Sequence, residues 1–178
     1  MANISDMTKT LVKPETVFIA IGANLPYAGQ AALETCRQVV AALQDIPGLS
    51  VDAVSGWYES APVPPSGQPP YINGMARGSA TMGPEALLEA LQAIETRFGR
   101  QRSIPNAART LDLDLIMFGS VCQTDSHLTL PHPSAHERAF VLLPLHDVAP
   151  EWVHPSSGKA LTDLLPDVAD QEIRRIQE

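Results

Sequence analysis

Cysteine, lysine, aromatic residues and long apolar runs are all scarce in this chain, and each scarcity narrows what it is. Cys36 and Cys122 are the only two cysteines in 178 residues. They stand far apart without a C-x-x-C partner, which excludes a disulfide framework and a thiolate zinc motif; two buried free thiols in a reducing cytoplasm are expected. Aromatic residues make up only 5% of the chain, no strand interleaves them with basic residues, and the formal net charge is −8. A nucleic-acid or anionic membrane surface is therefore excluded as the main partner. The opening MANISDMTKTLVKPE is polar, unlike a secretion signal, and the run VFIAI is too short to span a membrane. A cytoplasmic protein is expected, with residues 1–14 as a loose extension and residues 15–178 as a single domain.

What is present reads as alternating strands and helices. Val17 to Ile21 is a buried strand ended by Gly22, and residues 29–45 follow with Ala32, Cys36, Val39, Val40 and Leu43 at helical spacing. Residues 50–58 predict a second strand and Tyr71 onward a third. Between them lies ESAPVPPSGQPP, whose five prolines exclude regular structure. The clearest helix is GPEALLEALQAIETRFG, with Pro84 in its first turn and Gly99 as its stop. A strand with Asp112 and Asp114 comes next, then a short helix over residues 134–147 and a weakly patterned tail. The order predicts an α+β fold, a ferredoxin-like βαββαβ core in a three-layer α/β/α sandwich with extra C-terminal helices.

The local chemistry is concentrated just before and within that last strand. From Thr96 to Leu111 the chain carries Arg97, Arg100, Arg102 and Arg109 and no acid, an inversion of the overall charge. Arginine is the side chain suited to bidentate phosphate contacts. In RTLDLDLIMFG a period of two places Asp112 and Asp114 on one strand face and the leucines on the other. Two like charges so placed require cations beside them. Either an ion-pair cluster with the arginines or oxygen-preferring Mg²⁺ meets that requirement, since Mg²⁺ takes one or two protein carboxylates and fills its other positions with water and phosphates. Metal and arginine together describe phosphoryl transfer, yet the chain has no G-x-x-x-x-G-K-[ST] loop and no dinucleotide fingerprint. His132 and His136 are four apart, but Pro133 and the missing H-E-x-x-H argue against a helical zinc pair.

RTLDLDLIMFG resembles the signature of the 6-hydroxymethyl-7,8-dihydropterin pyrophosphokinase family, and FIAIGANL, YESAPV, QPPYINGMA, LQAIETRFGRQR, LTLPHPSAHERAFVLLPL and DVAPEW fall in the family's order. The resemblance implies a monomeric, Mg²⁺-dependent transferase of folate biosynthesis that moves pyrophosphate from ATP to the pterin hydroxymethyl group and releases AMP. It implies that Asp112 and Asp114 hold two Mg²⁺ ions and that Arg100, Arg109 and His132 act on the triphosphate. Gln92, Arg102 and Arg138 are implied on the ATP side, and Leu115, His127 and Thr129 around adenine and ribose, partly through backbone groups. For the pterin it implies a sandwich between Tyr71 and Phe140, with Asn73, Ser60 and Val63 reading the heterocycle's edge. The chain departs from many members before Arg109, where Asn106, Ala107 and Ala108 replace a W-G-P run. A module of the same fold that binds nucleotide without turnover is the rival reading, and AMP formation separates the two.

Overall fold

The structure is a computed structural model describing residues 12–62, 64–101 and 108–178. Residues 1–11 of the expected extension, Val63, Arg102, Asn106 and Ala107 lie outside the described residues.

The first strand, β1 (Glu15–Ala23), is apolar on both faces: Val17, Ile19 and Ile21 join one core and Phe18 the other. A strand buried on both sides reads as a continuous apolar run rather than an alternating one. It is followed by α1 (Ala32–Gln44), β2 (Leu49–Val54), β3 (Tyr58–Ser60), β4 (Tyr71–Ala80), α2 (Pro84–Arg97) and β5 (Asp112–Phe118). All pairings in the sheet are antiparallel, in the order β5-β1-β4, with β2 and β3 lying end to end along the far edge of β4. That is the βαββαβ ferredoxin-like arrangement, its second strand broken in two.

The break differs from the single strand expected over residues 50–58, and its cause is polar. Ser55 Oγ donates to Gly56 O at 2.6 Å and accepts from Met75 N at 2.8 Å, while Gly56 N donates to Asp147 Oδ2 at 3.0 Å. These side-chain bonds divert backbone groups from the ladder. Asp147 also accepts from Tyr58 Oη at 3.0 Å, so one carboxylate fixes both the break and the restart of the strand.

Two helical layers cover the sheet. One core lies under α1 and α2 and includes Cys36, Val39, Leu43, Leu87, Leu91, Leu113 and Leu115. The second lies under α3 (Ala139–Val148) and α4 (Leu161–Leu164), around Met75, Ile116, Leu142, Leu145 and Trp152. The helix expected over residues 134–147 is a 3₁₀ turn, Ala135–Glu137, joined to α3 by a single extended residue, Arg138, with φ −123° and ψ 117°. A hairpin of β6 (Gln123–Thr124) and β7 (Thr129–Leu130) follows β5, and the tail ends in β8 (Ile173–Arg175), which pairs with β3; the sequence pattern shows none of these three. Cys36 is buried as expected, and burial pushes its thiol up to about 12. Cys122 is exposed, contrary to expectation, because it follows the turn that leaves β5 rather than a core element. Among the described residues no helix is long and apolar enough to cross a membrane.

The crossing of β2 over β4 depends on a missing side chain. A Cβ at Gly78 would lie 2.6 Å from Ser50 O, a backbone atom opposite a register shift between Val51 and Ala53. Gly78→Ala should therefore force the strands apart and cost about 1–3 kcal/mol, the usual range for overpacking, read as a lowered midpoint in a denaturant melt. An unchanged midpoint would show that β2 yields freely.

Candidate active site

The cleft between the start of α3, the Pro-rich segment and the end of α2 has a volume of about 950 Å³. Its floor follows from strand register. Asp112 on β5 stands opposite Gly22 on β1, which stands opposite Asn73 on β4; Asp114 stands opposite Ala20. Alternation turns Leu113 and Leu115 into the core beneath α1 and α2, each 3% exposed, and leaves the aspartates on the other face. Small Ala20 and Gly22 leave open space above that face where a larger side chain would fill it.

The two carboxylates are not equivalent. Asp112 is held by Arg100 Nη1 at 2.5 Å on one oxygen and Arg109 Nη1 at 2.8 Å on the other. Asp114 makes no hydrogen bond or ion pair among the described residues. Its carboxyl is pushed up to about 6, first by burial and then by the charge of Asp112 beside it, against the pull of the arginines. Cations required by the sequence are thus present, and among the described residues Arg100 and Arg109 make their ion pairs with Asp112 rather than Asp114.

Arg100 reaches the cleft because α2 stops abruptly. Gly99 takes φ +82°, in the left-handed region, and a Cβ there would meet the Tyr27 ring at 2.5 Å. Arg100 N then closes on Glu95 O at 3.1 Å, and its guanidinium bridges Glu95 and Asp112. Glu95, 2% exposed, also accepts from Leu113 N at 3.3 Å and ties the end of α2 to β5. Among the described residues Arg100 Nε is a buried donor without a hydrogen-bond partner.

Arg109 is set by a residue to which sequence reasoning gave no role. Asn24, 2% exposed at the end of β1, accepts from Arg109 N at 2.8 Å through Oδ1, and Asn24 N and Leu25 N donate to Arg109 O at 3.0 and 3.1 Å. Its Nδ2 donates to Gln68 Oε1 and Pro69 O, both at 3.1 Å, so the Pro-rich segment hangs from the same side chain. The one signal in the sequence was an amide directly after an apolar strand.

His132 follows β7 and is anchored by its N–H to Ile116 O at 2.9 Å. Its Nδ1 accepts from Ser134 N at 3.3 Å, which leaves the ring proton on Nε2. Burial, and then Arg138, push its pKa below the ordinary 6.5. With Nδ1 engaged, Nε2 is the ring atom left to face the cleft. Arg138 stands with its guanidinium 5.5 Å from the centre of the Phe140 ring, and Asn73 Nδ2 donates to Ser60 Oγ at 2.8 Å.

The cleft is lined by Ser60, Tyr71, Asn73, Gln92, Arg100, Arg109, Asp112, Asp114, His132, Arg138 and Phe140. Leu115, His127 and Thr129 do not line it: the Leu115 side chain faces the opposite core and the other two sit on the β6–β7 hairpin. Among the described residues no group of three His, Cys, Asp or Glu side chains could hold a metal. Two carboxylates, one of them unpaired and accessible from the cleft, fit a cation such as Mg²⁺ that draws its other ligands from water and phosphate.

Comparison with known proteins gives a consistent answer. Residues 18–150 match the family model for 7,8-dihydro-6-hydroxymethylpterin-pyrophosphokinase. A 2-amino-4-hydroxy-6-hydroxymethyldihydropteridine pyrophosphokinase from Synechocystis is 39% identical over 150 residues, 84% of this chain and 74% of that one. The protein of the same name from Pseudomonas aeruginosa is 38% identical over 165 residues, 91% and 97% of the two chains. Among solved structures, the Plasmodium falciparum HPPK-DHPS with pteroate superposes with a TM-score of 0.70 at 12% identity, over 95% of this chain and 48% of that one. At that identity the likeness concerns the fold, and the chain spans about half the length of the solved chain. With its signature strand, its fold and its relatives in agreement, the chain belongs to the 7,8-dihydro-6-hydroxymethylpterin-pyrophosphokinase family.

Proposed function

We propose that this cleft takes ATP and 6-hydroxymethyl-7,8-dihydropterin together and passes pyrophosphate from one to the other, giving AMP and the pterin pyrophosphate for folate biosynthesis. One observation carries the reading. A single cleft has two strand-borne carboxylates among arginines at one end and Tyr71, Asn73 and Phe140 at the other. The first set suits a metal-bound triphosphate and the second a flat heterocycle with a hydrogen-bonding edge. A coupled assay for AMP tests it: formation should require ATP, Mg²⁺ and the pterin, and binding of nucleotide without AMP release would favour the sensing module instead.

In the proposed reaction the pterin hydroxymethyl oxygen forms a bond to the β-phosphorus of ATP. The bond from that phosphorus to the oxygen of the α-phosphate breaks, AMP departs, and the hydroxyl proton passes to solvent. Asp112 and Asp114 would hold Mg²⁺, which when bound offsets the negative charge of the phosphates. Arg100 and Arg109 exchange Asp112 for phosphate oxygens as substrate arrives, so the arginine charge is already in place before the reaction. The buried Nε of Arg100 gains an acceptor in the same step. His132 donates from Nε2, and Gln92 and Arg138 line the nucleotide side. Tyr71 and Phe140 hold the pterin between them while Asn73 and Ser60 read its edge, placing the hydroxymethyl group toward the phosphates. The reading includes a monomeric enzyme, and the two free cysteines accord with a cytoplasmic setting.

The unequal aspartates make separable predictions. Asp114→Asn removes a desolvated carboxylate that faces a like charge, so the variant should be as stable as the parent or more so at about pH 7. Because the folded group holds its proton up to about 6, above its unfolded value, the cost of ionisation is absent in acid and grows as pH rises; the variant's advantage should fade towards about pH 4. Asp112→Asn instead breaks bonds to two arginines and should cost about 1–3 kcal/mol. Both should lower AMP production by about a hundredfold or more. Denaturant melts beside Mg²⁺ titrations decide the matter, and an Asp114→Asn protein that is strongly destabilised yet turns over normally refutes the metal role.

Tyr71 and Phe140 are only half-buried, as expected of rings that a ligand completes. Replacing either by Ala should weaken pterin binding in calorimetry about tenfold or more while nucleotide affinity changes little, since base–aromatic stacking is worth about 1–3 kcal/mol. Normal pterin affinity in a variant that has merely lost thermal stability would make the rings core filler.

A further inference from the structure

Arg138 and Phe140 sit where one helical element gives way to the next. The 3₁₀ turn Ala135–Glu137 ends, Arg138 is extended, and α3 begins with no side-chain cap from Arg138 itself. An uncapped helix start leaves N–H groups without acceptors, and an extended residue between two helical turns leaves the preceding carbonyl and the following N–H open as well. Both needs are met by one residue from outside the region matched by the family model. Gln171 Nε2 donates to Glu137 O at 2.8 Å, and Gln171 Oε1 accepts from Ala139 N at 2.8 Å. The side-chain amide carries a donor and an acceptor side by side, as a peptide does, and pairs with the groups flanking Arg138 much as a neighbouring strand would.

We propose that Gln171 is a positioning residue of the active site: its amide clamps the chain on both sides of Arg138 and thereby sets both the Arg138 guanidinium and the Phe140 ring in the cleft. Three further observations bear on this. Gln171 itself lines the cleft. The Arg138 guanidinium lies 5.5 Å from the Phe140 ring centre, so a shift of the junction moves the two groups together. The tail then continues into β8, where Ile173 pairs with Ser60, so the same segment joins the α3 entrance to the strand that bears Ser60. The tail is thus a strap between the two walls of the cleft. It touches one wall by a side-chain amide and the other by a backbone ladder.

The inference rests on the proposed roles of Arg138 toward nucleotide and Phe140 toward pterin, and the test keeps the two ideas apart. The full chain is assayed as Gln171→Ala, Gln171→Glu, Arg138→Ala and the double variant Gln171→Ala/Arg138→Ala, with KM for each substrate, kcat and the unfolding midpoint measured for all. Gln171→Ala should raise both KM values about three- to tenfold, with kcat changed less than about twofold. Gln171→Glu keeps the acceptor for Ala139 N but sets a second acceptor against Glu137 O. It should retain the helix cap and still fail to restore KM. In the Arg138→Ala background the further change at Gln171 should leave the KM for ATP where it was, the non-additivity of two residues acting as one unit. If Arg138→Ala shifts the KM for ATP but Gln171→Ala does not, or if Gln171→Glu behaves as the parent, the clamp is wrong and Gln171 is a helix cap. If Arg138→Ala itself leaves the KM for ATP unchanged, the nucleotide role of Arg138 falls instead.

Discussion

The repulsion between Asp112 and Asp114 is the constraint around which this molecule is organised. Alternation along β5 puts two carboxylates on one half-buried face, where neither water nor distance relieves them fully. The protein meets the problem unequally. It spends Arg100 and Arg109 on Asp112 and leaves Asp114 near Asp112 with its proton affinity raised. Among the described residues the result is one carboxylate paired with two arginines and a second that makes no ion pair. Such an arrangement costs stability in the free protein, and any ligand that binds the folded state and offsets the charge recovers it.

The two faces of the sheet divide the labour. Beneath α1 and α2 the side chains close into one apolar core, to which β1, β2, β4 and β5 each contribute leucine, isoleucine or valine without reference to the chemistry opposite. The other face is covered by α3 and α4 over only part of its area, and the uncovered part is where Ala20, Gly22 and Asn73 replace larger apolar residues. The closed face gives the open one its rigidity, because Asp112 and Asp114 are anchored through Leu113 and Leu115 on the same strand.

Much of this was legible in the sequence, for reasons that can be named. Strands β1, β4 and β5 and helices α1 and α2 announce themselves because periodicity reports burial, and Gly99 marks its helix end by the backbone conformation it permits. The diacid strand was legible because charge amid leucines is costly enough to need a reason. What stayed hidden depends on contacts between distant segments. Asp147 breaking the second strand, β8 adding to β3, and Gln171 flanking Arg138 leave no local pattern, since each is an ordinary polar residue until its partner is known. The inequality of the two aspartates was equally invisible. It arises from where the Arg100 and Arg109 side chains reach, and a spacing of two residues treats both carboxylates alike.

Asn24 carries a consequence for how such a protein can change over time. One buried amide holds the backbone of Arg109 on one side and the Gln68–Pro69 stretch on the other. The Gln68–Pro69 end of the Pro-rich segment is thus tethered to the same point as Arg109, which pairs with Asp112. The segment's length and composition are free to drift among descendants so long as the last few residues still return to that amide. Insertions there would alter how the mouth of the cleft is shaped and which heterocycles it admits, while the arginine register remains inherited. Variation in substrate preference and constancy of the transfer chemistry would then be separated by a single side chain, with the tether marking the boundary between what can diverge and what cannot.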